Sequence, residues 1–452
     1  MSVKMAARAL LFQREAEAGL VGSVYRQAPQ GPVFVSKITV PMVDWSSSRR
    51  EQIDPLRNAE AGHYLLQLTL PDGKIASESF EIASGRDTEV VVDVPHEGPA
   101  EWTSLQAMSG GLKARSSLLP SQPVAFPSYA SLAADPQHGF SLHLVKPHSG
   151  GETVGLAQLG ELIQADLSAN ESAERLGDCI EIATPVQEME TDALFEIVYG
   201  GSLGDGATRG SFHFGAGSDL ERVYLLVRSN QGASLVSLPV PWTREGNEIE
   251  VELLLQKPSP GAVPSYSLTI GDPMINTALG YLNNGAVLEA ARLIDFDKAR
   301  DLLFHKISSP LAASFGGYLL MLGLDRRVYS SRADDWKHWL DNLDNWFNWL
   351  PDGAILRSAL YFVLGDKDAD GAYDALHRGF DRGLPFFTFG LRLMLEGLRR
   401  FASEGDERSK QRLALLEPIA MATDPEHSFL NLNVARHWHD QQAKPTMVYA
   451  HA

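Results

Sequence analysis

The stretch Tyr266-Ser-Leu-Thr-Ile-Gly-Asp-Pro-Met-Ile-Asn-Thr-Ala-Leu279 marks a change in the periodicity of the chain. Before Gly271, apolar and polar residues tend to alternate, which is typical of β-strands. After Pro273, apolar residues recur with the 3.6-residue period of a helix. Asp272 is a favourable N-cap and Pro273 a favourable first helical residue. The sequence therefore predicts a multidomain α+β chain, with two β-sandwich-like domains followed by an all-α domain.

Length and composition place the domain limits. At about 150 residues per domain, 452 residues make roughly three domains. Ser, Gly and Pro are frequent between residues 106 and 122, which is typical of a linker. The predicted segments are a β-sandwich-like domain at 1–105, a linker at 106–122, a second β-rich domain at 123–270, a helical-hairpin domain at 271–425 and a flexible tail at 426–452.

A β-hairpin is the clearest feature of the first domain. Its predicted strands, 63–70 and 75–82, flank Pro71-Asp72-Gly73, and we expect Asp72 and Gly73 to supply positive φ angles for a tight turn. A third strand at 88–94 would complete a meander. Four alternating apolar residues of the first strand should share one buried face: Tyr64, Leu66, Leu68 and Leu70.

The segment Ala61-Gly-His-Tyr-Leu-Leu-Gln-Leu-Thr-Leu-Pro-Asp-Gly73 resembles a hairpin of the transthyretin-like or carboxypeptidase-regulatory sandwich family. The resemblance covers about thirty-five residues of the chain. It implies that the first domain is a structural module without catalytic activity.

The second β-rich domain contains short strand-like runs separated by Gly and Pro, a pattern typical of a sandwich or barrel. Helical character is confined to residues 156–175. The predicted strands are 139–145, 179–183, 193–199, 222–228, 234–240, 248–255 and 266–270.

The C-terminal domain is predicted to consist of helices joined by short connections. After the first helix, Asn283-Asn284-Gly285 indicates a turn. The further predicted helices are 286–293, 311–324, 334–350, 354–364, 371–380, 385–401 and 409–421.

Small residues in this domain resemble a tetratricopeptide-type (TPR-like) helical hairpin. They include Ala354, Ala359, Gly371, Ala375 and Gly379, and the run ends at Gly383-Leu384-Pro385. The resemblance implies closely paired helices with a groove for a protein partner.

Charge and cysteine content limit the compartment and the partners. The chain has 39 basic and 57 acidic residues, a net charge of −18, so we expect neither nucleic-acid nor membrane binding. A single cysteine, Cys179, excludes an intramolecular disulfide and favours the cytoplasm. Cys179 is interpreted as a buried strand residue, with a nucleophile or redox switch as the alternative. The uncharged stretch between Lys306 and Asp325 is interpreted as a buried helix rather than a membrane span.

Ser202 is the strongest candidate for a catalytic residue. Gly200-Gly-Ser-Leu-Gly204 has the G-x-S-x-G form of a nucleophile elbow, and His148-Ser-Gly-Gly151 resembles the oxyanion loop of α/β-hydrolases. The elbow requires a helix after the serine, and the sequence predicts a loop there. We therefore interpret the segment as a hairpin loop, with a serine hydrolase as the alternative.

Two groups of side chains suggest metal ligands. Asp366, Asp368 and Asp370 have the spacing of the first three ligands of a calcium-binding loop. The twelfth position of that loop is His377, which cannot supply the usual bidentate carboxylate. An inter-helix turn with Asp370 as N-cap is the preferred interpretation. His437 and His439, with His427 nearby, are interpreted as a solvated helix end rather than a metal site.

Tryptophans concentrate in the predicted helix 334–350, and their spacing favours a core stripe over a ligand cage. Trp349 lies off this stripe and is a candidate exposed anchor. The predicted stripe contains Trp336, Trp339, Leu340, Leu343, Trp346, Phe347 and Leu350. The sequence thus predicts no catalytic, cofactor-binding or metal-binding residue, and no cofactor.

Two segments carry a second resemblance: Ser309-Pro-Leu-Ala-Ala-Ser-Phe-Gly-Gly-Tyr-Leu-Leu320, and the run from Trp336 to Ala354 that includes Leu350-Pro-Asp-Gly-Ala354. Their region is similar to uncharacterised bacterial proteins that occur with caspase-like (CHAT-type) peptidases in defence systems. The resemblance implies an accessory protein: a non-catalytic adaptor, substrate or regulator whose partner is the peptidase. A serine hydrolase using Ser202 and a self-assembling structural component are the alternatives, and the oligomeric state is left open.

Overall fold

The fold is described from a computed structural model of the chain. The residues that the structure describes are 3–9, 19–44, 51–52, 56, 59–94, 131–135, 140–147, 180–182, 195–200, 207–212, 224–229, 232–239, 242–244, 247–248, 251–256, 266–270, 272–327, 333–365 and 369–435.

Seven strands form the N-terminal sheet. Six of them follow the order β4-β1-β3-β2-β5-β6, and β7 also pairs with β1. The strands are β1 Val3–Ala9, β2 Gly19–Ala28, β3 Gly31–Asp44, β4 Glu51–Gln52, β5 Gly62–Thr69, β6 Ile75–Ile82 and β7 Thr88–Asp93. The hairpin of β5 and β6 is confirmed. The predicted meander is wrong, because β7 crosses to pair in parallel with β1. This crossing buries Val90 and Val92 in the core of the sheet.

The hairpin turn differs from its prediction in one residue. Gly73 has a φ of +84°, and its N–H donates to the Leu70 carbonyl at 2.9 Å. Asp72 does not adopt a positive φ, and its carboxylate accepts from Lys74 N–H. Pro71 fixes φ near −65°, which favours a type I turn and moves the positive φ to the next glycine. The four alternating residues of β5 and its end are buried as predicted: Tyr64, Leu66, Leu68 and Leu70.

Three smaller sheets follow, with the orders β10-β9-β13-β14-β19, β11-β12-β17-β18 and β15-β16, and β8 on β9. Their strands are β8 Ser131–Asp135, β9 Phe140–Pro147, β10 Ile180–Ile182, β11 Phe195–Gly200, β12 Ala207–Phe212, β13 Tyr224–Ser229, β14 Gly232–Ser237, β15 Thr243–Arg244, β16 Asn247–Glu248, β17 Val251–Gln256, β18 Tyr266–Ile270 and β19 Asn431–Ala435. Each predicted strand of this region overlaps one of them. The predicted linker and the predicted helix at 156–175 lie outside the described residues.

Nine helices lie within the described part of the C-terminal region. They are α1 Pro273–Asn283, α2 Val287–Leu293, α3 Phe296–Phe304, α4 Pro310–Asp325, α5 Lys337–Trp346, α6 Pro351–Leu364, α7 Ala369–Asp381, α8 Thr388–Ser403 and α9 Glu407–Ala422. The predicted start is confirmed, since Asp272 caps α1 by accepting from Ile275 N–H at 3.1 Å. Among the described helices, none combines the length and apolar character needed to cross a bilayer. The uncharged stretch before Asp325 instead forms α4, most of which is buried.

Two helices differ from their predicted limits for local reasons. The predicted helix 334–350 is shortened to α5, because Ala333–Asp335 form a 3-10 turn and Phe347 leaves the helix with φ −118° and ψ 74°. Leu350, which precedes Pro351, is extended. Helix α3 was not predicted, since four of its nine residues are charged. Asp295 begins α3 by accepting from Lys298 N–H at 2.9 Å.

The chain end returns to the sheets instead of forming a tail from residue 426. Strand β19 pairs antiparallel with β14, and Leu430 and Leu432 are buried against the helices. Edge-strand pairing satisfies backbone groups that a tail would leave to water. The prediction of a flexible tail is therefore wrong for this strand, and residues 436–452 lie outside the described part of the chain.

The helices share their cores with strands of the preceding region. Leu225, Val236 and Leu238 belong to the same buried cluster as α4 and α5. The ring centroid of Trp242 lies 6.3 Å from those of Phe387 and Phe429. The N-terminal sheet also contacts α1, because the Tyr281 hydroxyl donates to the Thr69 carbonyl at 2.7 Å. The helical region therefore packs as part of a continuous structure with the strands before it.

Candidate protein-binding surface

An exposed group of large apolar side chains lies where α3, the α3–α4 connection and α5 meet. Phe304 is 54% exposed, Ile307 76% and Trp346 55%. Together with Trp339 and Lys306, we call these residues the aromatic surface. Single exposed apolar side chains are normal on folded proteins, whereas a contiguous group of large ones indicates an interaction site.

Aromatic and cationic contacts hold the surface together. The rings of Phe304 and Trp339 meet edge to face, with centroids 5.1 Å apart. The Nζ atom of Lys306 lies 5.8 Å from the centroid of Trp339 and 5.3 Å from that of Trp346. Both distances are within the range of cation–π attraction. Lys306 thereby joins the α3–α4 connection to α5.

The positions of these side chains follow from the helix ends. Phe304 is the last residue of α3, whose buried side carries Ala299 and Leu303. Ile307 is presented by a turn, in which the Ser308 hydroxyl donates to the His305 carbonyl at 2.8 Å. A side chain at a helix end lacks the neighbours of the next turn, so it is readily left exposed. The aromatic surface is therefore carried by ordered backbone.

The predicted tryptophan stripe is only partly correct. Trp336, Leu340, Leu343 and Leu350 are buried, whereas Trp346 is exposed because α5 ends at that residue. Trp349, predicted as the exposed anchor, is half-buried, and its ring lies 5.9 Å from Phe386. The exposed tryptophan of this segment is therefore Trp346, which sequence periodicity placed in the core.

Lys306 has an unusual environment for a lysine. It is 4% exposed, and burial lowers the pKa of its ammonium. Within the described ranges, it forms no ion pair with a carboxylate. The exposed lysines Lys337 and Lys410 differ, because each has a carboxylate oxygen 2.6 Å from Nζ. The aromatic surface thus contains a buried cation whose described neighbours are rings.

A serine, a histidine and an aspartate also lie together but do not form a catalytic triad. Ser409 Oγ is 3.2 Å and Asp406 Oδ2 3.9 Å from the same atom, His377 Nε2. A triad needs the acid on the opposite ring nitrogen, Nδ1, which has no hydrogen-bond partner among the described residues. Ser409 is fully buried, and Asp406 caps α9 by accepting from Ser409 N–H at 2.6 Å. This cluster joins α7 to α9.

The calcium-loop alternative does not fit the described residues. Asp370 lies in the first turn of α7 and is not its N-cap, so that prediction is wrong. His377, at the twelfth position, is buried in the cluster with Ser409. Asp366 and Asp368 lie outside the described part. The described residues contain no group of three side chains suited to a metal ion.

Asp344 forms a buried charge cluster with three arginines. It is fully buried, and its carboxylate lies 2.6 Å from Arg378, 2.7 Å from Arg382 and 3.2 Å from Arg357. These arginines come from α6, α7 and the residue after α7. The cluster therefore fixes α5 against the next helical pair.

Several candidate residues lie outside the described part: Ser202, Cys179, His437 and His439. The strands on either side of Ser202, β11 and β12, pair antiparallel with Gly200 opposite Ala207. This pairing agrees with a hairpin loop, whereas a nucleophile elbow leads into a helix. His427 is described, and its Nε2 lies 3.6 Å from Asp424 Oδ2.

Comparison with known proteins gives a match over the helical region. Residues 277–446 match the family model described as the Y4kD C-terminal domain. The matched span includes the aromatic surface and β19 but not β14, with which β19 pairs. No curated protein and no solved structure matches the chain.

Proposed function

We propose that the chain is a non-catalytic binding protein, an adaptor, substrate or regulator of a caspase-like peptidase, and that it binds its partner through the aromatic surface. The observation that carries this proposal is the exposure of Phe304, Ile307 and Trp346 around the buried Lys306. Tryptophan is among the residues that dominate binding energy at protein interfaces.

Binding of a partner would remove these side chains from water. Covering apolar surface contributes roughly 25 cal/mol per Å², so one large side chain contributes about 2 kcal/mol. The rings are held in place before binding by their contacts with each other and with Lys306. A preorganised surface loses little side-chain entropy when the partner docks.

The identity of the partner rests on the second sequence resemblance. Its two segments, 309–320 and 336–354, fall in α4, α5 and the start of α6, which lie at or beside the aromatic surface. Consecutive helices such as α8 and α9 share one buried cluster, which supports the helical-hairpin interpretation. A caspase-like peptidase is therefore the partner to test first.

The test is co-expression with the caspase-like peptidase encoded nearest to the gene, followed by size-exclusion chromatography with light scattering. We expect a stable complex for the natural chain. The double variant Ile307→Ala/Trp346→Ala should weaken it at least tenfold, since both anchors are lost. Met421→Ala is the matched control, because Met421 is 64% exposed and lies on α9.

Failure to form a complex, or wild-type affinity in the double variant, would contradict the proposal. Equal weakening by Met421→Ala would also contradict it, since the effect would not be specific to the aromatic surface.

A further inference from the structure

We infer that the aromatic surface recognises a partner segment in which a carboxylate is flanked by apolar side chains, with the carboxylate pairing to Lys306. This inference rests on the proposed function and names the chemistry of the partner. Its basis is the juxtaposition of a largely buried lysine, whose ammonium lies over two rings, with three exposed apolar side chains.

The charge of Lys306 is carried by a largely buried side chain. A buried ammonium is costly unless it is paired, and cation–π contacts offset only about 0.5–2 kcal/mol. In the described part of the chain, its ammonium makes cation–π contacts with the rings of Trp339 and Trp346. The exposed Lys337, on α5 beside the same surface, has its own carboxylate in Asp334. The buried lysine is thus the one that would gain more from a carboxylate.

Apolar side chains lie next to Lys306 in space and in sequence. The ring of Trp346 lies over Nζ on one side, and Ile307 follows Lys306 directly in the α3–α4 connection. A carboxylate that pairs with Nζ would therefore lie beside the Trp346 ring and close in sequence to the exposed Ile307. Residues flanking that carboxylate in the partner would contact Ile307 and Trp346. Once docked, the ion pair would be shielded from water and strengthened.

Charge complementarity also argues against a second copy of this chain as the occupant. A symmetric contact centred on the aromatic surface would bring two copies of Lys306 together. The occupant we propose is therefore an acidic segment of a different protein.

The test is selection of a phage-displayed random 12-residue peptide library on the immobilised full-length chain. We expect the selected peptides to be enriched in Asp or Glu flanked by Leu, Ile or Phe. Their affinity should fall at least tenfold in Trp346→Ala and in Lys306→Met. Lys337→Met is the matched control and should leave the affinity unchanged, because Lys337 is paired with Asp334.

A double-mutant cycle makes the carboxylate contact specific. Replacing the peptide Asp by Asn, or Glu by Gln, should weaken binding to the natural chain by a similar factor and cause no further loss in Lys306→Met. Lys306→Arg keeps the charge and should retain most of the affinity. The peptide substitution also keeps the test valid if a Lys306 variant folds poorly.

Two outcomes separate the inference from the proposed function. Peptides that require Trp346 but show neither acidic enrichment nor sensitivity to Lys306→Met would overturn the inference and leave the binding surface intact. A selection that yields no peptide dependent on Trp346 would overturn both.

Discussion

Asp344 and Asp341 are two carboxylates on one helix that contact the same arginine with different burial. Asp344 is fully buried and meets three arginines, whereas the side chain of Asp341 is 44% exposed and lies 2.9 Å from Arg357. Removing one partner of a buried ion cluster leaves the other charges uncompensated. Exposed ion pairs contribute little because water screens them.

We expect Asp344→Asn to lower the free energy of unfolding by about 3–5 kcal/mol. Asp341→Asn should cost less than about 1 kcal/mol. Urea denaturation followed by circular dichroism measures both. Equal effects of the two substitutions would show that the arginine cluster does not hold α5 in place.

His377 makes stability depend on pH. Burial, together with Arg412 and Arg408, lowers the pKa of His377 to about 4. In the unfolded chain, a histidine titrates near pH 6.5. Between these values the unfolded state binds the proton and the folded state does not, so protonation favours unfolding.

The contribution of His377 to stability should therefore be complete above pH 6.5 and decline by about 3 kcal/mol as the pH falls to 4. Chemical denaturation across this range, compared with His377→Gln, isolates this contribution. The stability difference between the two proteins should shrink steadily with acidification. A difference that stays constant between pH 6.5 and 4 would refute the account.

Sequence reasoning succeeded at residues whose role is local and failed where burial depends on distant packing. Asp272 caps the helix that follows it and Gly73 adopts the positive φ of its own turn, so each residue type predicted the local structure. The exposure of Trp346 depends on where α5 ends and on how α3 packs against it. Because α3 was not predicted, the exposure of Phe304 at its end was not predicted either. Asp295, a favourable N-cap residue, was the sequence signal for this helix.

At the scale of elements, helix α4 is the centre of the helical region, and its glycines set how closely its neighbours approach. A Cβ added to Gly316 would lie 2.6 Å from the backbone carbonyl oxygen of Ala299 in α3. A Cβ added to Gly317 would instead meet the side-chain ends of Leu356 and Leu340 at 2.9 and 3.0 Å. Backbone cannot yield as side chains can.

We expect Gly316→Ala to destabilise the chain by about 1–3 kcal/mol through forced separation of α3 and α4. Gly317→Ala should have a smaller effect, since alanine favours the helix by about 1 kcal/mol and the leucines can adjust. Thermal unfolding of the two variants provides the comparison. A larger loss for Gly317→Ala would contradict this packing.

Strand β19 was not predicted from the sequence because its pairing partner is remote in the chain. Its partner β14 lies far away in the chain, as the 2.7 Å contact between Ser234 and Asn433 illustrates. No local signal encodes such a pairing, and a short polar segment near the end of the chain resembles a tail. The strands before residue 271 were found because alternation is a local property.

At the scale of the whole molecule, the change in periodicity near residue 271 separates types of secondary structure but not cores. Trp242 precedes the helices in sequence, is buried and contacts Phe387 and Phe429. The helical region therefore depends on residues outside the segment that matches the Y4kD C-terminal domain. The sequence predicted the classes of structure but not this shared burial, which depends on contacts between remote residues.

We expect Trp242→Ala to lower the unfolding free energy of the helices by about 3–5 kcal/mol, because it opens a cavity in their core. The helical signal at 222 nm in urea reports this loss. Trp346→Ala is the control and should cost less than about 1 kcal/mol, since an exposed substitution leaves no buried cavity. Unchanged helix stability in Trp242→Ala would show that the strands and helices are independent.

The central claim, that the aromatic surface binds a protein partner, is tested most directly by site-specific photo-crosslinking in the cells that produce the chain. A benzoylphenylalanine at position 346 or 307 should give a discrete crosslinked product with one partner. The same probe at position 421, on the exposed part of α9, should give none. Absence of a product at both 346 and 307, or an equal product at 421, would contradict the claim.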